Sequence, residues 1–347
     1  MAATTHRSRV KWALVIALSL ILVLVAVFAI GVVYVQNKLD DKLVRFGDPF
    51  SSLDADRPAK PQATDGSEES AQPVNFLFLG SDSRISAGDS GSWQFGAQRT
   101  DAIMIASISS DRDTVSVMSI PRDSWVPVSG YGHQKINAAY SYGGPSLMVQ
   151  TVEDLTGIHI DHVVISDFES FTHITDELGG VEITLTQPLQ VEDRTISAGT
   201  QVLNGKEALA YTRQRHGLSG GDFSRMQRQQ NWMRAVLRAA FDKDVLTSPA
   251  ALTNLLTVVV ENVAVDDGLS IGTLRDLALS MRSVRPGDVT FFSAPVAGTG
   301  RSPDGSQSIV NLDFKALDGV CEAFVEDRIS GYVDTHDDIV RLGSSVE

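Results

Sequence analysis

Val74-Asn75-Phe76-Leu77-Phe78-Leu79-Gly80 is an almost wholly apolar run that ends in glycine. Successive side chains of a strand point to opposite faces, so a run apolar on both reads as a buried central strand. Working outward, Ala102–Ile108 is a second such run, and Thr114–Ile120 alternates as a third after the turn Asp111-Arg112-Asp113. Pro145–Leu155 has helical periodicity, with proline in its first turn and Gly157 as its stop. His162–Ser166 and Val181–Leu185 read as strands around a helix at Phe168–Leu178 that Gly179-Gly180 closes. Helices follow at Lys206–Tyr211 behind the N-cap Asn204, at Phe223–Phe241, at Ile271–Val284 behind Ser270, and at Phe314–Asp327, with a strand at Val289–Ala294. Strands alternating with helices predict an α/β layered fold. No linker interrupts residues 74–330, which read as one domain with 331–347 as a tail.

Upstream, Trp12–Val35 is 24 residues without a charge. At ~1.5 Å per residue it spans about 36 Å, enough for a membrane core of about 30 Å. Arg7, Arg9 and Lys11 precede it and the first acid is Asp40, so residues 1–11 read as a cytoplasmic tail and the rest as extracytoplasmic. A cleaved signal is disfavoured, because its apolar core is usually about 7–15 residues. Residues 36–73 are rich in Pro, Ser, Asp and Gln and read as a linker.

The 347 residues carry a net charge of −14, which disfavours nucleic acid as a partner. The single cysteine, Cys321, excludes an intramolecular disulfide and reads as a buried small side chain of the last helix. Against this acidity, Tyr211–Arg228 holds Arg213, Arg215, Arg225 and Arg228 with one acid, Asp222, a local charge of +3 over 18 residues. Arg99 precedes the second strand and Arg122 follows the third, where open α/β sheets place ligands. Guanidinium forks match phosphate oxygens, so the cluster points to a phosphate or pyrophosphate ligand. Arg213 and Arg215 are two apart and share a face if their segment is extended. Arg225 and Gln229 share a face of the following helix, where Asp222 reads as N-cap. Asp82 leaves the first strand and Asp101 enters the second. If those strands are antiparallel neighbours, the two carboxylates converge and suit Mg²⁺.

Several ordered stretches resemble the LytR–CpsA–Psr family: Phe76–Arg84, Arg99-Thr100-Asp101, Ser119–Asp123, Lys135–Tyr140, Gly179-Gly180-Val181, Tyr211–Arg215 and Gly221–Gln230. The resemblance implies an α/β/α sandwich with a central mixed sheet behind one membrane helix. It implies a phosphotransferase that moves a glycopolymer from a polyprenyl-pyrophosphate carrier onto peptidoglycan, leaving a phosphodiester bond; the same residues also suit a pyrophosphatase acting on that carrier or a non-catalytic envelope protein that binds polyprenyl phosphates. It further implies Mg²⁺ held through Asp82 and Asp101, and pyrophosphate bound by Arg99, Arg122, Arg213, Arg215 and Arg225 with Gln229 nearby. Asp101 and Asp123 are the candidates for taking the acceptor proton. The loop Ile85–Gln98, with Trp93 and Phe95, is longer than expected for the family and bears on the acceptor or sugar side of the cleft. The predicted cytoplasmic piece is too short for a DNA-binding module.

Overall fold

The computed structural model describes residues 38–53, 57–60, 72–81, 100–214, 220, 222–242, 249–343 and 346. In chain order the elements are β1 (Val44–Arg45), β2 (Val74–Ser81), β3 (Thr100–Ile108), β4 (Val115–Ser119), β5 (Trp125–Val128), β6 (Gly132–Lys135), α1 (Asn137–Thr156) and β7 (His162–Ser166). Then come α2 (Phe168–Glu177), β8 (Val181–Leu185), β9 (Leu189–Val191), β10 (Arg194–Ile196), β11 (Gly199–Leu203), α3 (Gly205–Arg213), α4 (Asp222–Asp242) and α5 (Pro249–Asn262). The chain closes with β12 (Val263–Val265), α6 (Ile271–Ser280), β13 (Val289–Ser293), β14 (Val296–Arg301), β15 (Ser308–Leu312), α7 (Phe314–Val325) and α8 (Ile329–Thr335).

Seven strands form one mixed sheet in the order β1-β12-β7-β2-β3-β4-β13. The run at 74–80 lies at its centre, parallel to β7 and antiparallel to β3. Its alternation divides the core. Leu77 and Leu79, with Ile103 and Ile105, pack against Met148 and Val152 of α1 and Leu317 and Phe324 of α7. Phe76, with Met104 and Ala106, packs on the other face with Val260 of α5 and Ile271 of α6. Helices on both faces make the α/β/α sandwich and explain why the strand is apolar throughout. Three predicted helix caps hold. Gly157 caps α1 at φ 65°, the Asn204 side chain accepts from Glu207 N–H in a capping box, and Ser270 accepts from Thr273 N–H.

Both predicted domain boundaries move outward. Residues 38–53 and 57–60 belong to the fold rather than to a linker. Leu39 and Leu43 are buried, β1 pairs in parallel with β12, and Phe46, Phe50 and Leu53 pack on the core. Averaged composition hides this, because each of the few apolar residues in the stretch is used. At the other end, residues 331–343 are no tail. Val333 and Ile339 are buried, and Leu342 N–H donates to Phe291 O at 2.9 Å. The helix expected at 145–155 starts at Asn137, with a break at Gly143 and Gly144 just before Pro145. α6 ends at Ser280 rather than 284, while α5 and β12 were not foreseen. The predicted membrane helix 12–35 and the loop 85–98 lie outside the described residues. Among the described residues no helix is long and apolar enough to cross a membrane.

Candidate active site

The site forms where β2 ends, β3 begins and β4 exits. Gly80 pairs with Ala102 but Ser81 pairs with Thr100, so Asp101 is the extra residue of a β-bulge. Bulges re-aim side chains beside sites. Gly80 permits the close approach: a Cβ there would lie 3.0 Å from that of Ala102. The antiparallel neighbours expected from the sequence are present, and Ser81 sits opposite the residue before Asp101. Asp82, Arg99 and Arg215 lie outside the described residues.

Two arginines from distant elements meet on Asp101. Arg122, three residues beyond β4, pairs with one carboxylate oxygen through Nη1. Arg225, from the first turn of α4, reaches the other through Nη1 at 3.3 Å and donates to Asp101 O from Nη2, also at 3.3 Å. Asp222 closes the circuit, with Oδ1 3.1 Å from Arg225 Nη2 and 3.5 Å from Arg122 Nη2. The result is a ring of alternating charge, Arg122–Asp101–Arg225–Asp222. The Arg225 side chain is only 4% exposed, so its fork is held rather than free to rotate. Burial works against the charge of Arg122, but Asp222, Asp101 and Asp123 outweigh it and hold the guanidinium above its usual pKa. Its buried Nε has no hydrogen-bond partner among the described residues. Gln229 and Met226 line the same cleft with Asp222 and Arg225. Asp123 is paired with Lys135 at 3.1 Å.

Arg213 is the last residue of α3, not part of an extended segment, so the helix runs two residues past its predicted end at Tyr211. Burial pulls its pKa below the usual value, opposed by the attraction of Asp101, which places it in the same field. Its shared grip with Arg215 lacks its premise, since extended backbone begins only at Gln214 (φ −60°, ψ 129°).

Three residues have roles that sequence reasoning did not find. Asp222 read as an N-cap, yet its carboxylate serves the two arginines. Arg228, 2% exposed, donates to Tyr211 O at 3.0 Å and to Gln214 Oε1 at 2.9 Å, with its guanidinium 4.5 Å from the Tyr211 ring centre. It thereby fixes the end of α3 that carries Arg213. Gln230 Nε2 donates to Ser119 Oγ at 2.8 Å and to Phe292 O at 2.7 Å, pinning α4 to the sheet. The available signal was polar residues on the buried face of an amphipathic helix.

The donor set suits a hard cation only in part. Asp101 supplies carboxylate oxygens, which Mg²⁺ prefers, but both already meet arginines. Among the described residues no group of three or more His, Cys, Asp or Glu side chains is placed to hold a metal. A cation here therefore needs Asp82 and ligand oxygens.

A model of the LytR–CpsA–Psr family matches residues 48–321. The chain belongs to that family. The matched span starts inside the ordered stretch before β2, consistent with the earlier fold boundary. The cell wall biosynthesis protein LcpA of Corynebacterium glutamicum is 30% identical over 283 residues, covering 69% of this chain and 53% of LcpA. The chain thus spans little more than half of that relative. The polyisoprenyl-teichoic acid–peptidoglycan teichoic acid transferase TagT of Bacillus subtilis is 33% identical over 235 residues, covering 65% of this chain and 70% of TagT. A solved structure, TagT bound to LI-WTA, superposes with a TM-score of 0.58 at 26% identity, covering 74% of this chain and 90% of that one. Among LytR–CpsA–Psr structures this is the same mixed-sheet fold.

Proposed function

We propose that this chain is a phosphotransferase that moves a glycopolymer from a polyprenyl-pyrophosphate carrier onto peptidoglycan. The observation that carries the reading is the convergence of Arg122 and Arg225 on Asp101 at the strand ends, with the buried Nε of Arg122 left as a spare donor. The relatives' names supply the substrate class. In the step, an acceptor hydroxyl oxygen bonds to the sugar-linked phosphorus, the phosphorus–oxygen bond to the carrier breaks, and polyprenyl phosphate leaves. Little covalent chemistry is asked of the protein, so positioning and charge stabilisation dominate. Arg122, Arg225 and Arg213, with Arg99 and Arg215, bind the pyrophosphate. Gln229 offers a polar contact beside them. Asp101 or Asp123 receives the hydroxyl proton. Mg²⁺ held by Asp82 and Asp101 would neutralise charge on the pyrophosphate. Residues 12–35 anchor the chain, with the catalytic domain outside the cell, where its acceptor is.

The test incubates the full chain in detergent with a lipid-pyrophosphate-linked glycan and peptidoglycan. A covalent conjugate that disappears with EDTA and in Asp101→Asn is the expected result. Free glycosyl phosphate without conjugate would identify a hydrolase instead. Alkaline carbonate extraction checks the anchor, which is wrong if the mature chain is released.

A further inference from the structure

The hairpin β5–β6 leaves the site directly. Asn137 N–H donates to Arg122 O at 3.2 Å, and Ile136 N–H donates to Ser124 O at 2.8 Å, so the base of the hairpin is the site's own backbone. Val126 and Val128 point into the core. The pairings Trp125↔Lys135 and Pro127↔His133 place these four side chains on the opposite, outward face. Trp125 and His133 lie alongside each other, 6.5 Å between ring centres. At the tip, Tyr131 stacks on Tyr142 of α1 with centroids 4.4 Å apart and planes at 17°. Both rings stay in solvent, 47% and 44% exposed. Their positions are fixed by backbone. Tyr131 sits between Gly130 and Gly132, both at positive φ, and its carbonyl accepts from Gln134 Nε2 at 3.2 Å. Tyr142 stands at the helix break before Gly143.

We infer that this outward face, with the exposed Tyr131–Tyr142 stack at the hairpin tip beyond it, is the platform for the acceptor glycan strand. The inference rests on the transferase reading. Aromatic faces beside hydrogen-bonding groups take the C–H faces of pyranose rings, and tyrosine offers a rigid apolar body with a polar tip. Four residues at ~3.3 Å give a track of about 13 Å, long enough for more than one sugar. Charge chooses the acceptor over the phosphate-bearing end of the donor. A pyrophosphate calls for arginine and lysine along its path. The stretch 124–135 has one lysine, held by Asp123, and no arginine. A sugar chain lying on this face brings a hydroxyl to the hairpin base beside Asp123 and Arg122.

The probe is chitotetraose, an uncharged β-1,4-linked N-acetylglucosamine oligomer, titrated into the full chain in detergent. The double variant Tyr131→Ala/Tyr142→Ala is expected to weaken binding by about tenfold or more, as for a truncated aromatic anchor. Tyr142→Trp is expected to retain binding. In the transfer assay the KM for peptidoglycan rises by a similar factor, while the donor KM and the thermal melt stay at wild-type values. Wild-type-like binding in the double variant, absence of binding by the wild type, or a raised donor KM with an unchanged acceptor KM each overturns the platform. If tyrosine-dependent binding persists but no conjugate is ever made, the transferase reading fails and the platform stands.

Discussion

Two arginine–carboxylate clusters sit at opposite ends of α1 and differ in how completely they are closed. At its C-terminal end Glu153 is buried and saturated. Arg57 grips both oxygens, Nε at 2.9 Å and Nη2 at 2.6 Å, and Ile160 N–H adds a third bond at 2.9 Å. Arg57 Nη2 also donates to Ile160 O at 2.7 Å. At the N-terminal end, Asp101 and Asp222 are shared between two arginines, the contacts with Arg225 and between Arg122 and Asp222 lie at 3.1–3.5 Å, and Arg122 Nε is unsatisfied among the described residues. The first cluster locks the segment before β2 onto α1 and the loop that follows it. The second shares its charges among four groups and leaves Arg122 Nε unsatisfied among the described residues, which fits the proposed pyrophosphate site. The same residue types thus form a closed structural lock where each group has its own partner, and the candidate ligand site where partners are shared.

The largest expected effect breaks the closed cluster. Glu153→Ala leaves Arg57 facing a buried gap and should destabilise the fold by about 3–5 kcal/mol in a denaturant titration. The kcat/KM of the folded fraction should stay unchanged. A loss of activity without a loss of stability would erase the distinction between the two clusters.

Leu43→Ala tests the same end through packing. A buried leucine cut to alanine costs about 2–5 kcal/mol. A change within ~0.5 kcal/mol, as for a surface site, would return residues 38–53 to the status of a linker.

Arg122→Lys probes the open cluster. Lysine keeps the charge and loses the fork. Hydrogen bonds to charged groups are worth about 1.5–3 kcal/mol, so kcat/KM should fall roughly 10–150-fold with little change in melting. Near wild-type turnover would reduce the arginine to a point charge.

The smallest effect concerns Cys321. Burial pushes its thiol up to about 12, with Asp318 adding to the shift. The thiolate is the reactive form, so at pH 8 a thiol reagent should label the native chain hardly at all and the unfolded chain fully. Fast labelling of the native chain would contradict the buried position on α7.

Much of the fold was legible. The strands at 74–80, 102–108 and 114–120 carry their burial in their own alternation. Gly157, Asn204 and Ser270 mark helix ends through chemistry confined to a few neighbours. Asp101, Arg122 and Arg225 were legible as candidates, because arginine against an acidic background is unusual composition. The hairpin bearing Trp125 and Tyr131 was not, since short strands with Pro127 and two glycines lack a run long enough to show a period. Segment 38–53 was missed because its apolar residues are too sparse for any local pattern.

By itself the sequence determined the central strands, most of the long helices and the caps at Gly157, Asn204 and Ser270, because these follow from interactions among residues a few positions apart. Tertiary structure alone decided that Asp222 is a partner of two arginines, that Arg228 holds the end of α3, and that Glu153 is closed by Arg57. Among the described residues, the arginines that meet Asp101 lie 21 and 124 positions away, at Arg122 and Arg225. Only the order β2-β3-β4 across the sheet, with α4 pinned by Gln230, brings them within hydrogen-bond distance. A side chain's role depends on which charges burial places beside it, and that is set by how the layers pack.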